Sequence, residues 1–179
     1  MVNPLTVSQN HEGKLRLILD LRFINEFIPK EFITFDAWDV FWNYLSPEGW
    51  GFQFDLKHGY HHIKLHPRSQ IFCGFAWESR GNTEYFVFTA LPFGLAPAAY
   101  CFTKVLMPLT KFWRGQGIKI AVYLDDGADM EDRREKAVKH AKIVQNTLVD
   151  AGFVVNDEKT HWVPSQKLTW LGLTVDTHL

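Results

Sequence analysis

Residues 14–20, Lys-Leu-Arg-Leu-Ile-Leu-Asp, alternate charged and apolar side chains, the period-two signature of a half-buried strand. Asp20 is placed to cap a short helical stretch to Phe27, and Pro29 stops it. Over 36–45, Trp38, Phe41, Trp42 and Leu45 fall on one helical face, and Ser46-Pro47-Glu48-Gly49 breaks that helix. Residues 50–56 read as a strand. Aromatic runs at 71–77 and 84–91 flank Ser79-Arg80-Gly81-Asn82 and predict a hairpin. A helix follows Pro97 as far as Trp113, with Pro108 predicting a bend or a break inside it. The apolar run 118–124, a turn at Asp125-Asp126-Gly127 and a returning arm at 128–130 make a tight hairpin. Ala137, Ala141, Val144, Leu148 and Ala151 recur at spacings of four and three, and Gly152 is placed to cap that helix. Short strands are expected at 153–155, 161–163 and 168–175. Strand, helix, strands, helix, strand is an α+β order that a ferredoxin-like split unit fits, with helices on one face of an antiparallel sheet.

The chain has 179 residues, 46% of them apolar, enough to bury a core as one cooperative unit with a lobe change near residue 50. A net charge of −1 supplies no global field for nucleic acid, so any polyanionic partner is met by local charge. Cys73 and Cys101 lack CxxC spacing, which argues against a disulfide scaffold or zinc ribbon and fits a reducing, intracellular compartment, cytoplasmic or nuclear. The start has no basic and apolar leader pattern, and no Asn-x-Ser/Thr acceptor occurs. Nothing between Glu84 and Lys104 is charged, but Pro92, Gly94 and Pro97 interrupt that run, so a membrane span is not expected.

Adjacent carboxylates, Asp125 and Asp126, end one apolar strand, and Asp55 ends another, Gly-Phe-Gln-Phe-Asp. Asp-Asp-Gly alone is ordinary turn chemistry. Two unit charges ~4 Å apart repel by about 4 kcal/mol at an effective dielectric of 20, so three acids brought together ask for a cation. Hard oxygen ligands suit Mg²⁺ or Mn²⁺, and carboxylates from two neighbouring strands are what a two-metal phosphoryl or nucleotidyl transfer site requires.

The runs Phe54-Asp55-Leu56-Lys57-His58-Gly59-Tyr60-His61, Leu91-Pro92-Phe93-Gly94-Leu95 and Tyr123-Leu124-Asp125-Asp126 resemble, in order and separation, motifs A, B and C of reverse transcriptases. Lys14-Leu-Arg16 with Leu19-Asp20-Leu21-Arg22 and Asn25 is similar to the fingers motif. Gly152 with Asn156 and Lys159 resembles motif D, and Trp170-Leu171-Gly172-Leu173 resembles the primer grip. The form of these runs is most like eukaryotic retrotransposons of the tyrosine-recombinase DIRS group, with the LTR type close behind.

The resemblance implies a right-hand polymerase: partial fingers at 1–50, and palm at 51–179 with a fingers insertion around 62–90. The thumb is expected to be absent. It implies RNA-directed DNA synthesis from dNTPs on a primed RNA or DNA template. Thumb, ribonuclease H, and recombinase or integrase domains would complete a full-length element. Asp55, Asp125, Asp126 and the Leu56 carbonyl would hold two Mg²⁺, or Mn²⁺, and Lys159 would protonate the leaving pyrophosphate. Tyr60 falls at the steric gate against ribonucleotides. Arg16, Lys14, Phe93 and Gly94 would meet the nucleotide, and Trp170, Leu171 and Gly172 the primer.

Phe93 stands where retroviral enzymes usually carry Gln, which exchanges a polar contact for stacking. The loop before Arg16 keeps only Lys14 where the family often has several lysines. Lys104, Lys111, Arg114 and Lys119, with no acid between Glu84 and Asp125, could follow a phosphate backbone or simply form a solvated face. His58, His61, His62 and His66 crowd behind Asp55, yet no cysteine nearby completes a zinc set. The other reading of the chain is a catalytically silent retroelement remnant, or a nucleic-acid- or protein-binding fragment, that retains the fold.

Overall fold

The computed structural model describes residues 1–9, 13 and 15–178. Two units divide the chain, one made of Met1–Ile33 and Tyr60–Phe102, the other of Thr34–Gly59 and Thr103–Leu179.

In the first unit, β1 (Leu5–Gln9) pairs antiparallel with β2 (Leu15–Leu19), Leu5 opposite Leu19. The alternation in β2 does not bury one face: Leu19 is buried, but Leu15 and Leu17 are 71% and 44% exposed. A two-stranded ribbon has too little area to form a layer of its own. The N-cap of α1 (Arg22–Asn25) is Leu21, with no side-chain cap bond, rather than Asp20, which sits one residue earlier and accepts the Arg22 backbone N–H with Oδ1. Beyond α3 (Pro67–Gln70), whose turn is prolonged by Cys73 N–H bonding the Gln70 carbonyl, β4 (Gly74–Ser79) pairs with β5 (Asn82–Val87). The expected strand at 71–77 thus starts three residues late. Arg80 and Gly81 both adopt positive φ, 52° and 81°, as a two-residue hairpin loop demands. Leu19, Leu21 and Cys73 form this unit's core with Leu5, Ile24, Phe75 and Phe88.

In the second unit α2 spans Trp38–Trp42, β3 Gly51–Asp55 and β6 Ile120–Tyr123, with α4 (Ala98–Gly115) running in from the first unit. β7 (Asp126–Asp129), α5 (Arg134–Asp150) and β8 (His161–Ser165) complete the ferredoxin-like order, and the antiparallel sheet runs β6-β7-β3-β8. Two corrections concern boundaries. Pro108 sits inside an uninterrupted α4, held by buried Phe102, Leu106 and Trp113 on the same helix. The hairpin turn is Leu124-Asp125, so Asp126 and Gly127 belong to β7 rather than to the turn.

Residues on the sheet point alternately to its two faces. On one, the Phe54 ring meets Trp113 of α4, whose indole N–H donates to Thr147 of α5. Ala137, Ala141, Val144 and Leu148 of α5 are buried, and each larger aliphatic group contributes about 1.5–3 kcal/mol through that burial. On the other face, Ala121, Ala128 and Met130 pack with Phe41 of α2 and with Leu168 and Trp170. Trp42, expected on the buried face of α2, is exposed, because that helix has only five residues and buries Phe41 alone. Leu168 and Trp170 lie in β9 (Lys167–Trp170), paired with β10 (Leu173–Asp176). Residues 153–155 form no strand among the described residues; Val155 bridges Leu56, and the Val154 carbonyl accepts from the Lys57 N–H.

Candidate functional site

Antiparallel pairing of β3 and β7 places Asp55 directly opposite Asp126, and pairing of β6 and β7 places Asp126 opposite Tyr123. The two-residue turn between the last pair needs left-handed backbone, and Leu124 supplies it at φ 52°. His58, just after the Asp55 strand, has φ 59°. Each such conformation costs a residue with a side chain about 1–3 kcal/mol. Strained backbone therefore flanks the acids on both connections.

The Leu56 N–H donates to the Asp125 carbonyl at 2.8 Å, tying the turn to the end of β3. Asp55 is held on three sides: its N–H donates to Thr160 Oγ1 at 3.0 Å, its carbonyl accepts from Asn156 N–H, and its Oδ1 accepts from Asn156 Nδ2 at 2.8 Å. Gly59 approaches Asp125 so closely that a Cβ on it would stand 3.4 Å from the carboxylate. Burial, then the Asp125 charge, then the hydrogen bond and charge of Asp55 push the Asp126 carboxyl up to about 7, against the opposing pull of Lys159. The site thus carries more negative charge than its surroundings neutralise, and these oxygen donors fit a hard divalent cation. Asn156 and Thr160 position Asp55, a part that sequence pattern marks for Asn156 only as a motif letter and for Thr160 not at all. Their signal lay in the polar Asn156-Asp157-Glu158-Lys159-Thr160 run, whose docking on β3 only the fold displays.

Within the first unit, Phe93 is the centre of a separate group. The Tyr60 ring lies 5.2 Å from it, the His61 ring 5.7 Å, and the Arg16 guanidinium 5.4 Å above its face. Tyr60 also packs edge-on against Phe102 at 5.9 Å. Gly94 has φ 102°, and any Cβ there would run into the Leu19 carbonyl. Asn25 clasps this loop, donating to the Gly94 carbonyl at 2.9 Å and accepting from Ala96 N–H at 2.8 Å. Arg16, Tyr60, Phe93 and Gly94 are therefore one assembly.

Lys14 lies outside the described residues. Lys159 is exposed. Trp170 is only 3% exposed, its ring packed against those of Trp38 and Phe41, so Leu171 and Gly172, with φ 45° and 78°, form the outward part of that motif. The supposed basic stretch is smaller than its sequence suggests. Arg114 is engaged by Asp36 and by the Ile120 carbonyl. Among the described residues, the four histidines behind Asp55 do not gather as a metal-binding group. No helix of the described residues is long and apolar enough to cross a membrane.

Residues 8–175 match the family model described as reverse transcriptase (RNA-dependent DNA polymerase). The chain is similar to the retrovirus-related Pol polyprotein from transposon gypsy of Drosophila melanogaster, 29% identical over 161 residues, 89% of this chain and 15% of that polyprotein. It is also similar to the genome polyprotein of Petunia vein clearing virus, 26% identical over 168 residues, 93% of this chain and 7% of that one. A solved foamy viral protease-reverse transcriptase in complex with double-stranded DNA superposes with a TM-score of 0.85 at 25% identity, covering 99% of this chain and 30% of that chain.

Proposed function

The chain belongs to the reverse transcriptase (RNA-dependent DNA polymerase) family, and from that premise we propose that it carries the polymerase centre of a retroelement polyprotein. In this reading a primer 3′-hydroxyl attacks the α-phosphate of a dNTP on an RNA or DNA template, and pyrophosphate leaves. The observation that carries the proposal is the pairing of Asp55 with Asp126 beside the turn that holds Asp125.

Asp55, Asp125 and Asp126, with the Leu56 carbonyl, would hold two Mg²⁺, or Mn²⁺, which when bound supply a more acidic primer hydroxyl and balance charge on the departing phosphate. Asn156 and Thr160 hold Asp55 in place. Lys159 donates a proton to the leaving pyrophosphate. Tyr60 presents its ring to the sugar and selects against a 2′-hydroxyl, while Arg16 and Phe93 stack on the nucleotide and Gly94 lets backbone approach it. Lys14 grips the triphosphate. The Leu171-Gly172 turn, set by the buried Trp170, contacts the primer.

Residues 1–50 then serve as partial fingers, and 51–179 as palm with a fingers insertion around 62–90. The duplex named with the foamy viral structure supports a primer-template partner. The polyprotein relatives support a longer product in which thumb, ribonuclease H, and recombinase or integrase segments assist. The DIRS affiliation rests on the residues after motif B, and a neighbouring recombinase rather than integrase frame decides it.

Primer extension on an RNA template with Mg²⁺ and dNTPs, by the chain alone and within the reading frame that encodes it, tests the proposal. Metal-dependent extension that Asp125→Asn abolishes is expected. Its absence in both contexts establishes the silent-remnant reading instead. Tyr60→Ala should admit ribonucleotides, and an unchanged sugar preference removes the gate from Tyr60.

A further inference from the structure

Asp129 closes β7 three residues after Asp126 and so points to the opposite face of the sheet, towards α5. There Asp129 and Glu131 are fully buried, 0% exposed each, and His140 of α5 is 5% exposed. One ligand atom from each of the three lies within 4.8 Å of the other two. Among the described residues, neither carboxylate oxygen of Asp129 has a hydrogen-bond partner. Glu131 Oε1 stands 2.9 Å from His140 Nδ1, and Oε2 stands 2.6 Å from Lys136 Nζ, yet neither His140 Nδ1 nor Oε2 has hydrogen-bond geometry. Two buried carboxylates thus share one partly exposed ammonium, with Lys119 as a further cation nearby. Interior carboxylates are normally paired and hydrogen-bonded or bound to a metal, and Asp129 is neither paired nor hydrogen-bonded here.

We propose that Asp129, Glu131 and His140 form a second divalent-metal site whose ion is Zn²⁺ or a similar first-row metal. An imidazole beside two carboxylates is a mixed N/O set, which suits zinc and not the oxygen-only shell of Mg²⁺ or Ca²⁺. Zinc bonds of about 2.0–2.2 Å bring ligand atoms to about 3.3 Å from one another, a closure that side-chain rotation accomplishes. Lys136 then yields Glu131 and keeps Asp132, already 3.6 Å away. A bound ion would neutralise both carboxylates and fasten α5 to the end of β7. Because it lies on the other side of the strand, this site does not depend on the Asp55–Asp126 pair.

Zn²⁺ is the probe, and metal content and thermal unfolding of the full chain in Mg²⁺-free buffer are the readouts. The wild-type chain and Asp125→Asn should each retain one zinc after dialysis. Both should gain about 5–10 °C in Tm at a hundredfold excess over Kd. Asp129→Asn and His140→Gln should lose both effects. Zinc content that persists in a folded Asp129→Asn chain, that vanishes in Asp125→Asn, or that is absent from wild type overturns the proposal. If neither variant folds, Co²⁺ added to wild type decides: visible d–d bands of a low-coordinate N/O site are expected, and their absence overturns it.

Discussion

Two acids of one strand, Asp126 and Asp129, have opposite surroundings. Asp126 lies half-buried across from Asp55, beside a turn and within reach of Lys159. Asp129 is sealed against α5, with Glu131 as its charged neighbour and burial as the main force holding its carboxyl well above the usual range. Burial heads the causes in both cases, but the second cause differs: flanking aspartates for Asp126, Glu131 for Asp129. Strand parity, not residue type, separates a half-buried group beside the turn from one committed to the interior.

The largest effect expected on this contrast is catalytic. Asp125→Asn should lower primer extension about a thousandfold or more, measured in single-turnover assays, and a loss below tenfold would break the assignment of that face. Next comes Gly127→Val between the two acids. The Phe54 ring occupies the space a side chain would need, so urea denaturation should show a loss of about 2–4 kcal/mol.

Asp126→Asn should give a smaller, pH-dependent gain in the metal-free chain. Native Asp126 keeps its proton up to about 7, whereas the unfolded chain releases it near 4. Wild-type stability therefore falls as pH rises from 4 to 7, and then levels. A neutral amide at this position has no such loss, so the variant should lead by about 1–3 kcal/mol at pH 8 and by nearly nothing at pH 4 in denaturant titrations. A constant difference across that range would show that the proton is not shared in this way. The smallest change is Thr160→Val, which removes the acceptor of the Asp55 N–H and should cost about 1 kcal/mol.

Much of this arrangement is legible in the sequence. The strand ending at Asp55, the hairpin ending at the double aspartate, and the α5 stripe all announce themselves by periodicity, because the burial that shapes them repeats every two or every 3.6 residues. The ferredoxin-like order follows from their succession. Boundaries set by single conformations were harder to read: Leu124 takes a left-handed turn that Gly or Asn would ordinarily fill, and this shifts the loop one residue towards the N-terminus. Pro108 does not break α4, because a helix buried through Phe102, Leu106 and Trp113 tolerates one missing donor. His140 is buried beside the α5 stripe without belonging to its sequence pattern, and its meeting with Asp129 and Glu131 depends on sheet and helix stacking, which no local pattern encodes.

The shortness of the Leu124-Asp125 loop has one more consequence. Ladder spacing is two, so excising a single codon there would slide β7 by one place and transpose its contents, turning Asp126 towards the helices and Asp129 outward. A copy that lost only the Leu124 codon would keep its reading frame and all three aspartates, yet Asp126 would no longer share a sheet face with Asp55. A tally of its acidic residues alone would not reveal the loss.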